Sequence, residues 1–154
     1  MTAPSSGARR TLAELSIPSE PGNERQAAEE VARAVSGLGL PERTLRRFKT
    51  AVSEATLNAM EHGNRYRAEL PVLIDVSVSE GDLSVKVTDE GSGPPAFHSE
   101  TPDIEAKLEG EQSLRGWGLF LIRKLVDDMN VTGDEHHHTV ELILHLDRPA
   151  EGEK

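Results

Sequence analysis

Val72-Leu73-Ile74-Asp75-Val76-Ser77-Val78-Ser79-Glu80-Gly81-Asp82-Leu83-Ser84-Val85-Lys86-Val87 is the stretch that decides the fold. Val72, Ile74, Val76 and Val78 recur at every second residue, the period of a strand with one buried face. Glu80-Gly81-Asp82 is a turn, and Leu83, Val85 and Val87 carry the same period back, so the segment is a hairpin. Upstream, residues 10–17 alternate more weakly, with Leu12, Glu14 and Ser16 against Ala13, Leu15 and Ile17, until Pro18 stops them. Ser19-Glu20-Pro21 opens a helix to about Ser36, ended by Gly37 and Gly39. Pro41 starts a longer helix through about His62, closed by Gly63. Downstream, Gly118 to Met129 reads as helix, with Leu119, Ile122, Val126 and Met129 on one side. Val140, Leu142, Leu144 and Leu146 make a last strand. This order predicts an α/β (α+β) two-layer sandwich: a mixed, mostly antiparallel sheet with helices on one face.

The 154 residues suit one domain. Residues 1–9 and 148–154 are polar ends expected to be mobile tails, leaving 10–147 as the domain. With five aromatic residues (Phe48, Tyr66, Phe97, Trp117, Phe120), the core must be built from Val, Leu, Ile and Ala. The 17 Lys+Arg against 27 Asp+Glu give a formal charge of -10, which argues against a nucleic-acid backbone as partner. The absence of Cys removes disulfides, thiolate catalysis and Cys-based zinc sites, and fits a reducing cytosol. No apolar run approaches the roughly 18 residues of a membrane span, and residues 1–10 lack the apolar stretch of a secretory signal.

Polar chemistry collects in three places. On the second helix, Leu45, Phe48, Val52, Ala55 and Ala59 occupy one arc of roughly 80° and form its core face. Glu54, Asn58, Glu61 and His62 occupy another, with Glu54 and Asn58 one turn apart. Such an arc is ordinarily the wet face of an amphipathic helix. Asn, however, is a poor residue for a helix interior, and its amide oxygen is a neutral hard ligand suited to Mg²⁺. Next, Asp89-Glu90-Gly91-Ser92-Gly93 follows the return strand. It places a carboxylate at the sheet's end, then a turn whose glycines let a flat ring or a phosphate approach the backbone. Finally, Arg115-Gly116-Trp117-Gly118-Leu119 leads from a long Gly- and Pro-containing loop into a helix, where free N–H groups and the dipole favour an anion. Each pattern also occurs in ordinary turns and loops; their combination in this order is specific. Neither a P-loop nor a dinucleotide fingerprint is present.

In these motifs the chain resembles the GHKL (Bergerat-fold) ATP-binding domains, and within them the bacterial anti-sigma-factor serine/threonine kinases. Residues 51–63, Ala-Val-Ser-Glu-Ala-Thr-Leu-Asn-Ala-Met-Glu-His-Gly, look like that family's N box. Asp89-Glu90-Gly91-Ser92-Gly93 looks like its first glycine box and Gly116-Trp117-Gly118-Leu119 like its second. The resemblance covers about residues 10–147. It implies that Asn58 coordinates a Mg²⁺ bridging ATP phosphates, and that Glu54 is the catalytic base or orients the nucleophile. It implies that Asp89 accepts a hydrogen bond from the adenine amino group, with Gly91 and Gly93 letting the base stack. Residues 96–115 would be the ATP lid, and Gly116 and Gly118 would contact phosphate. Glu61, His62, Arg115, Trp117 and Leu119 complete the implied nucleotide-binding set. A Thr in the last strand often helps hold adenine in this family, which makes Thr139 a candidate.

Two departures stand out. Gly usually precedes that Thr, where this chain has His138 after His136 and His137. The three adjacent histidines are expected in an exposed turn. Trp117 is bulky between its glycines and is expected to pack the lid or, alternatively, to cap the nucleotide pocket. The implied activity is ATP-dependent phosphorylation of a Ser or Thr on a STAS-type anti-sigma antagonist, together with binding of a sigma factor. The alternative is a nucleotide-binding module that switches partner binding without efficient transfer. A cytoplasmic homodimer, with no nucleic-acid or membrane partner, is implied as well.

Overall fold

The structure, a computed structural model, describes residues 9–91 and 118–146. Gly93, Arg115, Gly116, Trp117, the 96–115 lid and the 148–154 tail lie outside the described residues, as does the 1–9 tail except for Arg9.

The elements run β1 (Arg10–Ile17), α1 (Asn23–Ala34), α2 (Glu42–Asn58), β2 (Val72–Val78), β3 (Asp82–Asp89), α3 (Gly118–Leu125), β4 (Asp128–Gly133) and β5 (His138–His145). The five strands form one sheet in the order β1-β2-β3-β5-β4, and all four pairings are antiparallel. The predicted sandwich is present. Alternation in each strand becomes continuous apolar rows once the strands pair. Leu15, Ile74, Val87, Val140 and Val131 stand opposite one another in turn across all five strands. Against this face pack the buried Ala27, Ala28 and Val31 of α1, Phe48, Ala51, Val52 and Ala55 of α2, and Ile122 of α3. The other face is mostly polar, Leu73 and Ile143 apart: Ser84 donates to Glu141 at 2.6 Å, and the Thr88 and Thr139 hydroxyls lie 3.0 Å apart.

Two local differences from the sequence reading have physical causes. The third helix stops at Leu125, so Met129, expected on it, lies in the unforeseen edge strand β4. Asp127 and Asp128 would sit at the negative end of the helix dipole. Instead, the Asp127 N–H donates to the Ile143 carbonyl at 3.0 Å, and Asp127 accepts the His145 N–H at 2.7 Å, which ties this corner to β5. The second helix reaches Gly63 as expected, but its last turn, Ala59–Gly63, is a wide π-helical one. Turns of this kind re-aim side chains and often occur at functional sites.

Candidate functional site

β3 carries its inward period one step further than its apolar residues. Leu83, Val85 and Val87 point into the core, and so does Asp89, only 6% exposed. β5 behaves in the same way: Leu144, Leu142 and Val140 are followed backward by His138 on the same face, 8% exposed. The two polar residues are register partners. His138 Nδ1 lies 3.1 Å from Asp89 Oδ1, which also accepts the Gly91 N–H at 2.8 Å. When Asp89 is ionised its carboxylate only accepts, and His138 Nδ1 is then the donor. The apolar rows therefore end in a buried Asp–His pair.

Glycine makes room for it. A Cβ on Gly63 would lie 2.1–2.5 Å from the Asp89 carboxyl atoms, and one on Gly91 would lie 2.8 Å from the Gly63 carbonyl oxygen. The loop carrying these residues is held by Asn64, only 1% exposed. Its amide nitrogen donates to Ser19 Oγ (3.0 Å) and to the Leu70 and Pro71 carbonyls (2.8 and 3.2 Å), while its oxygen accepts the Glu90 N–H at 2.7 Å. Arg65 and Tyr66, which follow it, both have positive φ (54° and 58°), an uncommon conformation for residues with side chains.

Between α2, α3 and the sheet lies a recess. Asn58, His62, Gly63, Asp89, His138 and Leu119 line it, with Val87, Val131 and Val140 as apolar wall. An apolar slot with a few convergent polar groups is the usual form of a small-molecule site. An adjoining polar recess shares His62, Gly63 and His138, and adds Arg65, Arg67, Glu90 and Gly91. Burial pushes the Asp89 carboxyl above its ordinary value; the Gly91 N–H and His138 pull against that rise. Glu54 is half-buried one turn before Asn58, and burial, then the negative charge of Glu24 on α1, pushes its carboxyl up as well.

The fold thus brings together Asn58, His62, Asp89, Gly91 and Leu119 of the sequence-derived set around the two recesses. Gly118 is the first residue of α3. Glu61 is partly buried, with Oε1 3.8 Å from His62 Nε2. The Thr139 hydroxyl meets Thr88 on the outer face, and it is His138 that meets Asp89. His136 and His137 occupy the exposed turn expected for the histidine run, but His138 does not, because the period of β5 turns it inward. Two residues escaped the sequence reading. His138 could have been found by extending the Val140, Leu142, Leu144 alternation back by two; Asn64 carries no comparable signal.

A divalent cation needs several oxygen or nitrogen donors on one centre. Among the described residues no group of three or more His, Asp or Glu could hold one. Asn58, a neutral oxygen donor on the recess wall, fits a Mg²⁺ that takes most of its oxygens from phosphates and water. No helix among the described residues is long and apolar enough to cross a membrane.

Residues 17–144 match the family described as "Histidine kinase-like ATPase domain", and the chain belongs to that family. Within it, the chain is homologous to anti-sigma F factors and RsbW serine kinases. It is 30% identical to an anti-sigma F factor of Bacillus licheniformis over 128 residues, 82% of this chain and 86% of the relative. It is 27% identical to the serine-protein kinase RsbW of Oceanobacillus iheyensis over 129 residues, 77% of each. The fold is shared with the RsbU and RsbW domains of a Mycobacterium tuberculosis protein (TM-score 0.64, 18% identity, 90% of this chain and 33% of that one). It is also shared with the Pseudomonas aeruginosa SiaB-SiaC complex (TM-score 0.58, 12% identity, 88% and 90%).

Proposed function

We propose that this chain is a cytoplasmic MgATP-dependent serine/threonine protein kinase of the anti-sigma type, acting on a STAS-type antagonist protein and binding a sigma factor as a homodimer. The observation that carries the reading is the convergence of Asn58 and Asp89 on one recess, beside Gly63, where an added Cβ would overlap the Asp89 carboxyl. The names of the relatives, anti-sigma F factor and serine-protein kinase, support it.

In this reading Asp89 accepts the exocyclic amino group of adenine, and the apolar walls take the faces of the ring. Asn58 holds Mg²⁺. When bound, ATP would supply the phosphoryl group and the Mg²⁺ would neutralise part of the phosphate charge, which the acidic chain itself opposes. The lid, Arg115 and the glycines at 116 and 118 are assigned to the phosphates. Glu54 receives the proton of the substrate Ser or Thr hydroxyl as its oxygen bonds to the γ-phosphorus and the bond to the ADP oxygen breaks. Its raised pKa suits a general base.

Incubation with labelled ATP, Mg²⁺ and the antagonist protein tests this. Label is expected on a Ser or Thr of the antagonist. Glu54→Ala is expected to bind nucleotide normally and to lose transfer by about 10²-fold or more. Nucleotide binding without label on the antagonist would favour the non-transferring module instead.

A further inference from the structure

The Asp89–His138 pair goes beyond the nucleotide-site reading, on which the following inference rests. We propose that His138 is a positioning residue of the base site: its imidazole, hydrogen-bonded to Asp89 Oδ1, holds that carboxylate as an ionised acceptor and so selects purines that present an amino group.

Three observations carry it. The pair is buried, with side chains 10% and 9% exposed, so water is a poor substitute for either partner. The carboxylate is boxed by Gly63 and Gly91, which leaves it little freedom to turn toward other donors. Both residues line the recess, so a ligand that meets Asp89 lies beside His138.

An ionised aspartate is a charged and stronger acceptor for an amino group than a protonated one, which keeps only a neutral carbonyl oxygen, and burial opposes ionisation. The Gly91 N–H offsets this in part, and His138 adds its backbone N–H, which a substitution leaves in place, and an imidazole that can also carry charge. Among the described residues, the other titratable or charged groups that line the adjoining recess are His62 after α2, Arg65 and Arg67 in the following loop, and Glu90 after β3. α3 and β4 contribute the apolar Leu119 and Val131. None of these makes the 3.1 Å contact that His138 makes.

The test uses the whole chain, with His138→Ala and His138→Gln. The first readout is the carboxyl carbon titration of Asp89 by NMR, without nucleotide. Its midpoint is expected to move to higher pH in His138→Ala, and less far in His138→Gln, which keeps a neutral donor. The second readout is binding of ATP against purine riboside triphosphate, which lacks the amino group, across pH. The wild-type chain is expected to prefer ATP by roughly tenfold near neutrality, the worth of one hydrogen bond to a charged acceptor. That preference should shrink on acidification, as the charged acceptor becomes a neutral one, and at a higher pH in His138→Ala than in the wild type. An unmoved Asp89 midpoint in both variants overturns the proposal, and so does equal weakening of both nucleotides at every pH, the mark of a merely structural role. If the wild-type chain binds neither nucleotide, the nucleotide-site reading is what fails, and the Asp89 titration then decides the pair by itself.

Discussion

Asp89 and Asp134 are alike in local chemistry and opposite in behaviour. Each accepts backbone N–H groups just downstream: Asp89 from Gly91 at 2.8 Å, Asp134 from His136 and His137 at 2.7 and 2.8 Å. Each stands beside one end of the same histidine run. Yet the His136 and His137 N–H bonds pull the Asp134 carboxyl below its ordinary value, while burial pushes that of Asp89 above it. Asp134 lies in the exposed hairpin turn between β4 and β5, where the bonds cost almost no desolvation. Asp89 is at the closed end of the sheet, where desolvation outweighs the same bonds. A buried carboxylate kept against that penalty is the more informative of the two, because perturbed groups gather where chemistry is done.

The contrast is open to attack, beginning with the largest expected effect. Asn64→Ala removes four hydrogen bonds at once, those to Ser19, Leu70, Pro71 and Glu90. A loss of about 3 kcal/mol is expected in urea unfolding, since buried partners are left unsatisfied. A loss within error would mean that the Asp89 loop is held by something else. Gly63→Ala comes next. Its new methyl would overlap the Asp89 carboxyl, so about 2 kcal/mol of overpacking cost is expected together with weakened nucleotide binding. Normal stability and binding would show that the box around Asp89 is soft.

The smallest effects are the sharpest, because they differ in sign. Asp89 has a raised folded-state value, so its contribution to stability is fully present below pH 3.8 and is lost as pH rises through that value. Asp134 has a lowered one, so its contribution is present above pH 3.8 and is lost as pH falls through its folded-state value. Against wild type, Asp89→Asn should therefore gain relative stability as pH rises, and Asp134→Asn should lose it. Unfolding measured from acid to neutral pH decides the matter. Slopes of the same sign would dissolve the comparison.

Much of this was legible in the chain itself. The hairpin from Val72 to Val87, the strand at residues 10–17 and the apolar arc of the second helix all follow from period alone. So does the placing of Asp89 two residues beyond Val87. The edge strand from Asp128 was not legible, because Leu119, Ile122, Val126 and Met129 also fit a helical stripe. Only the acidic pair at Asp127 and Asp128 argued otherwise, and its effect depends on where β5 lies to receive it. Asn64 gave no signal in the sequence, since its partners come from three separate loops.

Sequence by itself determined which residues face inward along each strand, because a strand's period is set by backbone geometry and the hydrophobic pattern selects one face. It also determined the polar arc from Glu54 to His62 and a turn after Asp89 whose Gly91 carries no Cβ; that Gly63 packs against the Asp89 carboxyl is tertiary. Only the tertiary structure decided that Asp89 would meet His138 rather than Thr139. That choice depends on the register between β3 and β5, which pairs Thr88 with Thr139 on the outer face and Asp89 with His138 on the inner one. Segments far apart in the chain fix that register by burying their apolar rows together, and a slip of one residue would exchange the two faces.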